Sequence, residues 1–173
     1  RRIDELGRVV IPKEIRRTMR IREGDPLEIY TDRDGGVIFK KYSLMGGVSE
    51  FAGQLCETIG RTAGKIAVIT DRDNCVAVTG APRREIQDKQ ISPELERLME
   101  SRQIYQHKVG EIGVPLCAEE GRFFLDTVAP ILSEGDVLGS VVFTAPEENL
   151  TGGEVEYKLA QSIAVFLGKH MEG

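Results

Sequence analysis

The side chains best equipped for chemistry are cationic and crowded at one end. Arg1, Arg2, Arg8, Lys13, Arg16, Arg17, Arg20 and Arg22 face only Asp4, Glu5 and Glu14 over the first 22 positions, a net charge of +5. A guanidinium grips phosphate with two parallel N–H donors and reaches guanine edges the same way, so the cluster suits a polyanion such as double-stranded DNA. An isolated arginine pair would read as solvated surface; eight basic groups in so short a run argue for a partner. Residues 1–42 carry eleven basic and eight acidic side chains, and residues 43–173 carry twelve and twenty. A net charge of −5 and a pI of 5.2 therefore conceal a basic head.

The other reactive types are sparse. Cys56, Cys75 and Cys117 form no CxxC pair, and an odd number without an export signal reads as reduced thiols. Cys56 falls on the apolar side of a helical pattern and Cys75 between apolar neighbours, so both are expected to be buried and structural. Cys117, after Pro115-Leu116, is the best candidate for a reactive thiol. His107 and His170 lack ligand spacing and read as surface histidines, and no metal site is expected. Gly135 and Gly139 sit between strand-like runs instead of opening a helix, which makes them hairpin residues and not a phosphate loop. No Ser-His-Asp set or paired carboxylates emerge, so no catalysis is expected. At 173 residues, 40% hydrophobic and 29% charged, the composition excludes disordered and collagen-like chains. No apolar run is long enough to span a bilayer and no signal peptide is legible; the expected location is cytoplasmic, with no membrane partner.

The elements that must hold the cationic cluster are short. Arg8-Val9-Val10-Ile11 reads as a strand stopped by Pro12, which presets a helical turn. Ile15 and Met19 then share a face, which turns Arg16, Arg17 and Arg20 outward. Leu27-Glu28-Ile29-Tyr30-Thr31 alternates with period two, Asp32 to Gly36 supplies a turn, and Val37-Ile38-Phe39 returns as a hairpin. A unit of about 40 residues with no Cys and no His has neither covalent nor metal staples, so it is expected to share a core with a second copy. Such a two-fold dimer would set two basic surfaces side by side, matching the two backbones of a duplex.

After Ser43 to Gly47, a small-residue break, the pattern changes. Val48, Phe51, Leu55 and Ile59 predict a helix over 48–61. Strands are expected at 66–69 and 75–78 around Asp71-Arg72-Asp73-Asn74. Ser92 with Pro93 caps a further helix. Residues 108–116, 122–132 and 137–144 read as β-rich, and Thr151 with Glu154 as a capping box for a last helix whose Val155, Leu159, Ile163, Phe166 and Leu167 face one side. The fold class expected is α+β in two domains: a mostly-β head at 1–42, a linker at 43–47, and an antiparallel sheet with flanking helices at 48–173.

The run DELGRVVIPKEIRRT, from Asp4 to Thr18, resembles the AbrB-type swapped-hairpin DNA-binding domain, and EGDPLEIYTDRDGGVIFKKY continues the pattern. The resemblance implies that two chains interleave their hairpins and that Arg1, Arg8, Arg16 and Arg17 contact DNA. Arg2, Lys13, Arg20 and Arg22 rest on charge alone. The order α-β-β-α-β-β-β-α and EGDVLGSVVF at 134–143 resemble a GAF domain, with a PAS-like sheet as the alternative. A swapped-hairpin head joined to a GAF-like tail resembles the forespore transcription regulators of spore-forming Firmicutes. This implies an activator and repressor of late, forespore-specific sporulation genes. Flexible arginines without a rigid recognition helix lead us to expect sequence tolerance. The wide apolar stripes of helices 48–61 and 155–167, a second self-association surface beside the head, lead us to expect a homotetramer. It needs no cofactor, though the GAF-like unit leaves room for an unidentified small effector. Two other readings stay open: an antitoxin-like binding module, and a GAF-type thiol-dependent methionine sulfoxide reductase, to which the three cysteines point.

Overall fold

A computed structural model of the chain describes residues 1–43 and 45–172, arranged as two compact units, Arg1–Ser43 and Leu44–Gly173. In the first unit Pro12, at φ −54° and ψ 144°, delivers the chain into helix α1 (Lys13–Thr18), and its carbonyl accepts the first helical hydrogen bond from Arg16 N. Strands β1 (Leu27–Thr31) and β2 (Val37–Lys41) form an antiparallel hairpin in register from Leu27↔Lys41 to Thr31↔Val37. Asp32 builds its turn: one carboxylate oxygen accepts from the amides of Asp34 and Gly36, at 3.0 and 2.6 Å.

The expected strand at Arg8–Ile11 is absent; these residues belong to no strand. An extended tetrapeptide becomes a strand only when a neighbour completes its ladder, and one copy of this unit offers none. The interior is missing in the same sense. Among the described residues up to Ser43 none is buried, and Val10, Ile29 and Val37 stand 67%, 64% and 60% exposed.

The second unit carries the interior. Met45, fully buried, and a single 3-10 turn (Gly46–Val48) lead into α2 (Ser49–Ala63). Then come β3 (Ile66–Asp71), β4 (Cys75–Thr79), a one-turn α3 (Arg83–Ile86), α4 (Pro93–Glu100), a two-residue β5 (Tyr105–Gln106), β6 (Phe124–Ser133), β7 (Asp136–Ala145) and α5 (Glu154–Met171). The sheet is antiparallel with order β4-β3-β7-β6-β5. Alternate residues serve opposite faces. Ala67, Ile69, Val141 and Phe143 join α2 and α5 in one core, while Val68, Cys75, Val128 and Val142 join Ile86, Leu95, Met99, Leu116 and Phe123 in another. Ser92 caps α4 as expected, its hydroxyl accepting from Leu95 N at 3.0 Å.

Three details differ from expectation. Residues 108–116 are not a strand: after β5 the chain loops out through Gly110 at φ +91° and returns only to a single bridge, Pro115↔Phe124. The box between Thr151 and Glu154 does not form, because Asp126 has taken Thr151. That carboxylate, 2% exposed, accepts from Thr151 N at 2.7 Å, Gly152 N at 3.2 Å and Thr127 Oγ1 at 3.0 Å. The buried stripe of α5 runs through Ala160, Ala164 and Leu167, leaving Val155 and Phe166 about half exposed. Alanine at 126 would strand the amides of Thr151 and Gly152 away from water; we expect a loss of about 2–4 kcal/mol and early fraying of α5, measured as a lower urea midpoint.

Candidate nucleic-acid interface

Arg8 is held by a loop that Asp4 organises. Asp4 Oδ1 accepts from Leu6 N and Arg8 N at 2.9 and 2.8 Å, and Asp4 Oδ2 accepts from Arg8 Nε at 2.8 Å. Gly7, at φ +79°, closes the turn onto Asp4 O, and Asp4 N returns to Arg8 O. The Arg8 amide, then its guanidinium, hold the Asp4 carboxyl below the usual carboxylate range. The contact engages Nε alone and leaves the Arg8 side chain 72% exposed, so its two terminal amino groups keep their donors. Asp4 thus pairs with Arg8 and aims it at the same time. Charge counting had set Asp4 against the cluster; the four-residue spacing from Asp4 to Arg8 was the available signal.

Arg16 is aimed by a similar device. It lies one turn inside α1, and its Nε donates to Ile11 O at 3.0 Å, back across the proline. Arg17 and Lys13 are exposed on the same helix, and Arg1 and Arg2 are exposed ahead of the Asp4 loop. Cations in the last turn of a helix also suit its negative end.

Arg20 and Arg22 are set differently. Arg20 takes a left-handed conformation, φ 56°, that ends α1, and its carbonyl accepts from Lys41 Nζ at 2.9 Å. Arg22 is half-buried: its amide donates to Asp25 Oδ2 at 2.8 Å, and its guanidinium lies 3.7 Å from the same carboxylate. The Arg20 carbonyl ties the end of α1 to the hairpin, and Arg22 with Asp25 braces the loop between them. Lys41 and Asp25, absent from the candidate set, take part in these contacts.

The balance over residues 43–173 is acidic, twelve basic side chains against twenty acidic ones. The α4 face of the second unit is packed with apolar side chains, and an open groove of about 540 Å³ lies elsewhere, lined by Gly60, Lys65, Thr79, Gly80, Thr144 and Asn149 among others. His107 is half-buried with Nδ1 enclosed and unpartnered, not a surface histidine, whereas His170 is exposed, its ring 5.1 Å from Phe51 and 6.2 Å from Phe166. Among the described residues no helix is long and apolar enough to cross a membrane.

Comparison with known proteins divides at the same place. A family model described as "Stage V sporulation protein T C-terminal, transcription factor" matches residues 47–172, and one described as "Antidote-toxin recognition MazE, bacterial antitoxin" matches residues 1–44. Stage V sporulation protein T of Bacillus subtilis (strain 168) is 43% identical over 99% of this chain and 96% of its own length. Transition state regulatory protein AbrB of the same organism is 64% identical over 42 residues, 24% of this chain and 43% of that one. Among solved structures, the type II free methionine-R-sulfoxide reductase of Thermoplasma acidophilum has a TM-score of 0.55 at 11% identity, covering 75% of this chain and 95% of that one. The GAF domain/HD domain protein of Geobacter sulfurreducens has a TM-score of 0.53 at 18% identity, covering 76% and 99%. At such identities the two structures speak for the fold alone: the second unit is GAF-like.

Proposed function

The chain belongs to the stage V sporulation protein T family and is a sporulation transcription regulator, and from that premise we propose that it acts by docking paired basic heads on duplex DNA. Arg8, Arg16 and Arg17 are the central contacts, Arg1, Arg2 and Lys13 extend the phosphate grip, and Arg20 and Arg22 support the head's own fold. The observation that carries this reading is the pinning of Arg8 and Arg16 through Nε, which orients the side chains and leaves their terminal amino groups to donate. With no long recognition helix in the head, shape and backbone contacts outweigh base readout, so the regulator tolerates several related sites and both activates and represses late, forespore-specific genes in the cytoplasm.

Assembly follows from exposure. A head of residues 1–42 without a buried residue completes its core by interleaving with a second copy, whose chain supplies the ladder that Arg8–Ile11 lacks. The GAF-like unit, residues 48–173, brings a second self-association surface: Phe51 of α2 and Val155, Val165 and Phe166 of α5 leave apolar area uncovered. Two different two-fold contacts close a tetramer. The GAF-like unit carries the acidic excess, so it stays off the DNA and governs head spacing, with an unidentified small effector as its input and no catalysis of its own.

The test is a titration of the full chain with duplex DNA across a salt series. Neutralising about 6 to 8 phosphates predicts a log K against log salt slope of roughly −5 to −7. A slope near −1, or light scattering that gives a monomer or a plain dimer at micromolar concentration, sinks the reading.

A further inference from the structure

Two of the three cysteines meet in the folded chain. Cys75 opens β4, fully buried; its amide donates to Lys89 O and its carbonyl accepts from Asp88 N, both at 2.9 Å. On its other side the same short run, Asp88 to Ile91, pairs with the loop ahead of β6: Ile91 bridges Cys117, and Ala118 N donates to Gln90 O at 2.9 Å. One connecting segment thus laces β4 to that loop, and both cysteines border the same apolar cluster. They differ in access. Cys117 is half-buried and followed by the exposed residues Ala118 to Arg122, whereas Cys75 lies in the apolar core that Cys117 edges.

The pair is also chemically unequal. The neighbouring Cys75 thiol favours the thiolate at Cys117 and holds that thiol below its ordinary range. Lys89 acts in the same direction, while burial and Glu119, 3.6 Å from Lys89 Nζ, oppose it. Cys75 is pushed up, first by its Cys117 neighbour and then by burial. The third thiol serves as an internal contrast: Cys56 is fully buried, donates to Ala67 O at 3.0 Å, and is pushed up to about 12 by burial.

We propose that Cys117 and Cys75 form a peroxide-reactive dithiol in the GAF-like unit, with Cys117 as the attacking sulfur and Cys75 as the resolving one. The Cys117 thiolate attacks one peroxide oxygen, the O–O bond breaks, and the departing alkoxide or hydroxide takes a proton, leaving Cys117 as a sulfenic acid. Cys75 sulfur then attacks the Cys117 sulfur; the S–O bond breaks, and hydroxide leaves with the Cys75 proton as water. The dithiol loses two electrons and two protons, and one peroxide is reduced to an alcohol, or to water, plus water. The product ties the start of β4 to the loop ahead of β6. This proposal stands apart from the DNA-binding reading, since none of its residues lies in the head.

The experiment uses the intact, reduced chain. Iodoacetamide at neutral pH should alkylate Cys117 at least about tenfold faster than Cys56 or Cys75. One equivalent of hydrogen peroxide should remove two hydrogens from the chain mass and yield a peptide pair cross-linked between Cys75 and Cys117. Cys75→Ser should instead retain an oxygen on Cys117 that dimedone captures. Equal alkylation of all three thiols overturns the proposal. So does a disulfide to Cys56 or between chains, or wild-type protein that accumulates Cys117 sulfinic acid without the cross-link. The wild-type peptide map decides the matter even if Cys75→Ser does not fold.

Discussion

An Arg16→Ala, Arg17→Ala double variant is expected to lose roughly a hundredfold or more in affinity for duplex DNA, since each such contact contributes about 1–3 kcal/mol. The proposed dimeric head would present every substitution twice, which pushes the loss upward. The fold should survive, because Arg17 is exposed on α1 and the Arg16 side chain gives up only its bond to Ile11 O, itself at the surface. Gel-shift titrations at two salt concentrations, with circular dichroism as the folding control, distinguish the causes. Removal of phosphate contacts lowers affinity and flattens the salt slope together. Lost affinity with the slope unchanged would mean that the two arginines act on the fold and not on the phosphates.

The largest effect on stability is expected at Gly139→Ala. Gly139 lies in β7 opposite Asp71 of β3, and a Cβ there would overlap the Thr70 carbonyl oxygen and come within 3.0 Å of Asp71 Cα. Both are backbone atoms of the adjoining strand in the middle of the sheet, so relief requires separating β3 from β7. A loss of about 3 kcal/mol or more is expected, read as a fall in the urea midpoint. Gly53→Ala is the matched control: in α2 its Cβ meets nothing within 4 Å, and alanine should add about 0.5–1 kcal/mol. A Gly139→Ala chain as stable as wild type would mean that β3 and β7 are not held this tightly.

Local patterns were legible wherever a few neighbouring residues decide the outcome. The α1 turn follows from Pro12, the β1–β2 hairpin from Asp32 to Gly36, and the α4 cap from Ser92 with Pro93. What escaped was settled by residues remote in sequence. Thr151 looks like a cap until Asp126, on β6, claims its amide. Val155 and Phe166 fit a helical stripe, but the smaller Ala160 and Ala164 lie where α5 approaches the sheet, and Gly168 packs on the Leu132 carbonyl. The arginine cluster was visible as charge, yet nothing in charge separates Arg8, aimed by Asp4, from Arg22, packed against Asp25. The meeting of Cys75 with Cys117 depends on the run from Asp88 to Ile91 passing between them, which no spacing rule encodes.

A head with no interior of its own also changes what quantity the cell controls. In the proposed interleaved head folding is a reaction between two molecules, so the folded fraction depends on concentration, and the supply of competent heads rises faster than the supply of chains. A scarce regulator is then disproportionately silent, and a modest increase in synthesis acts as a threshold. The same stoichiometry governs inheritance. In the proposed shared head, a chain with an intact β1–β2 hairpin but without its arginines would enter heads beside normal partners and disable them, so such an allele would be dominant over the wild type.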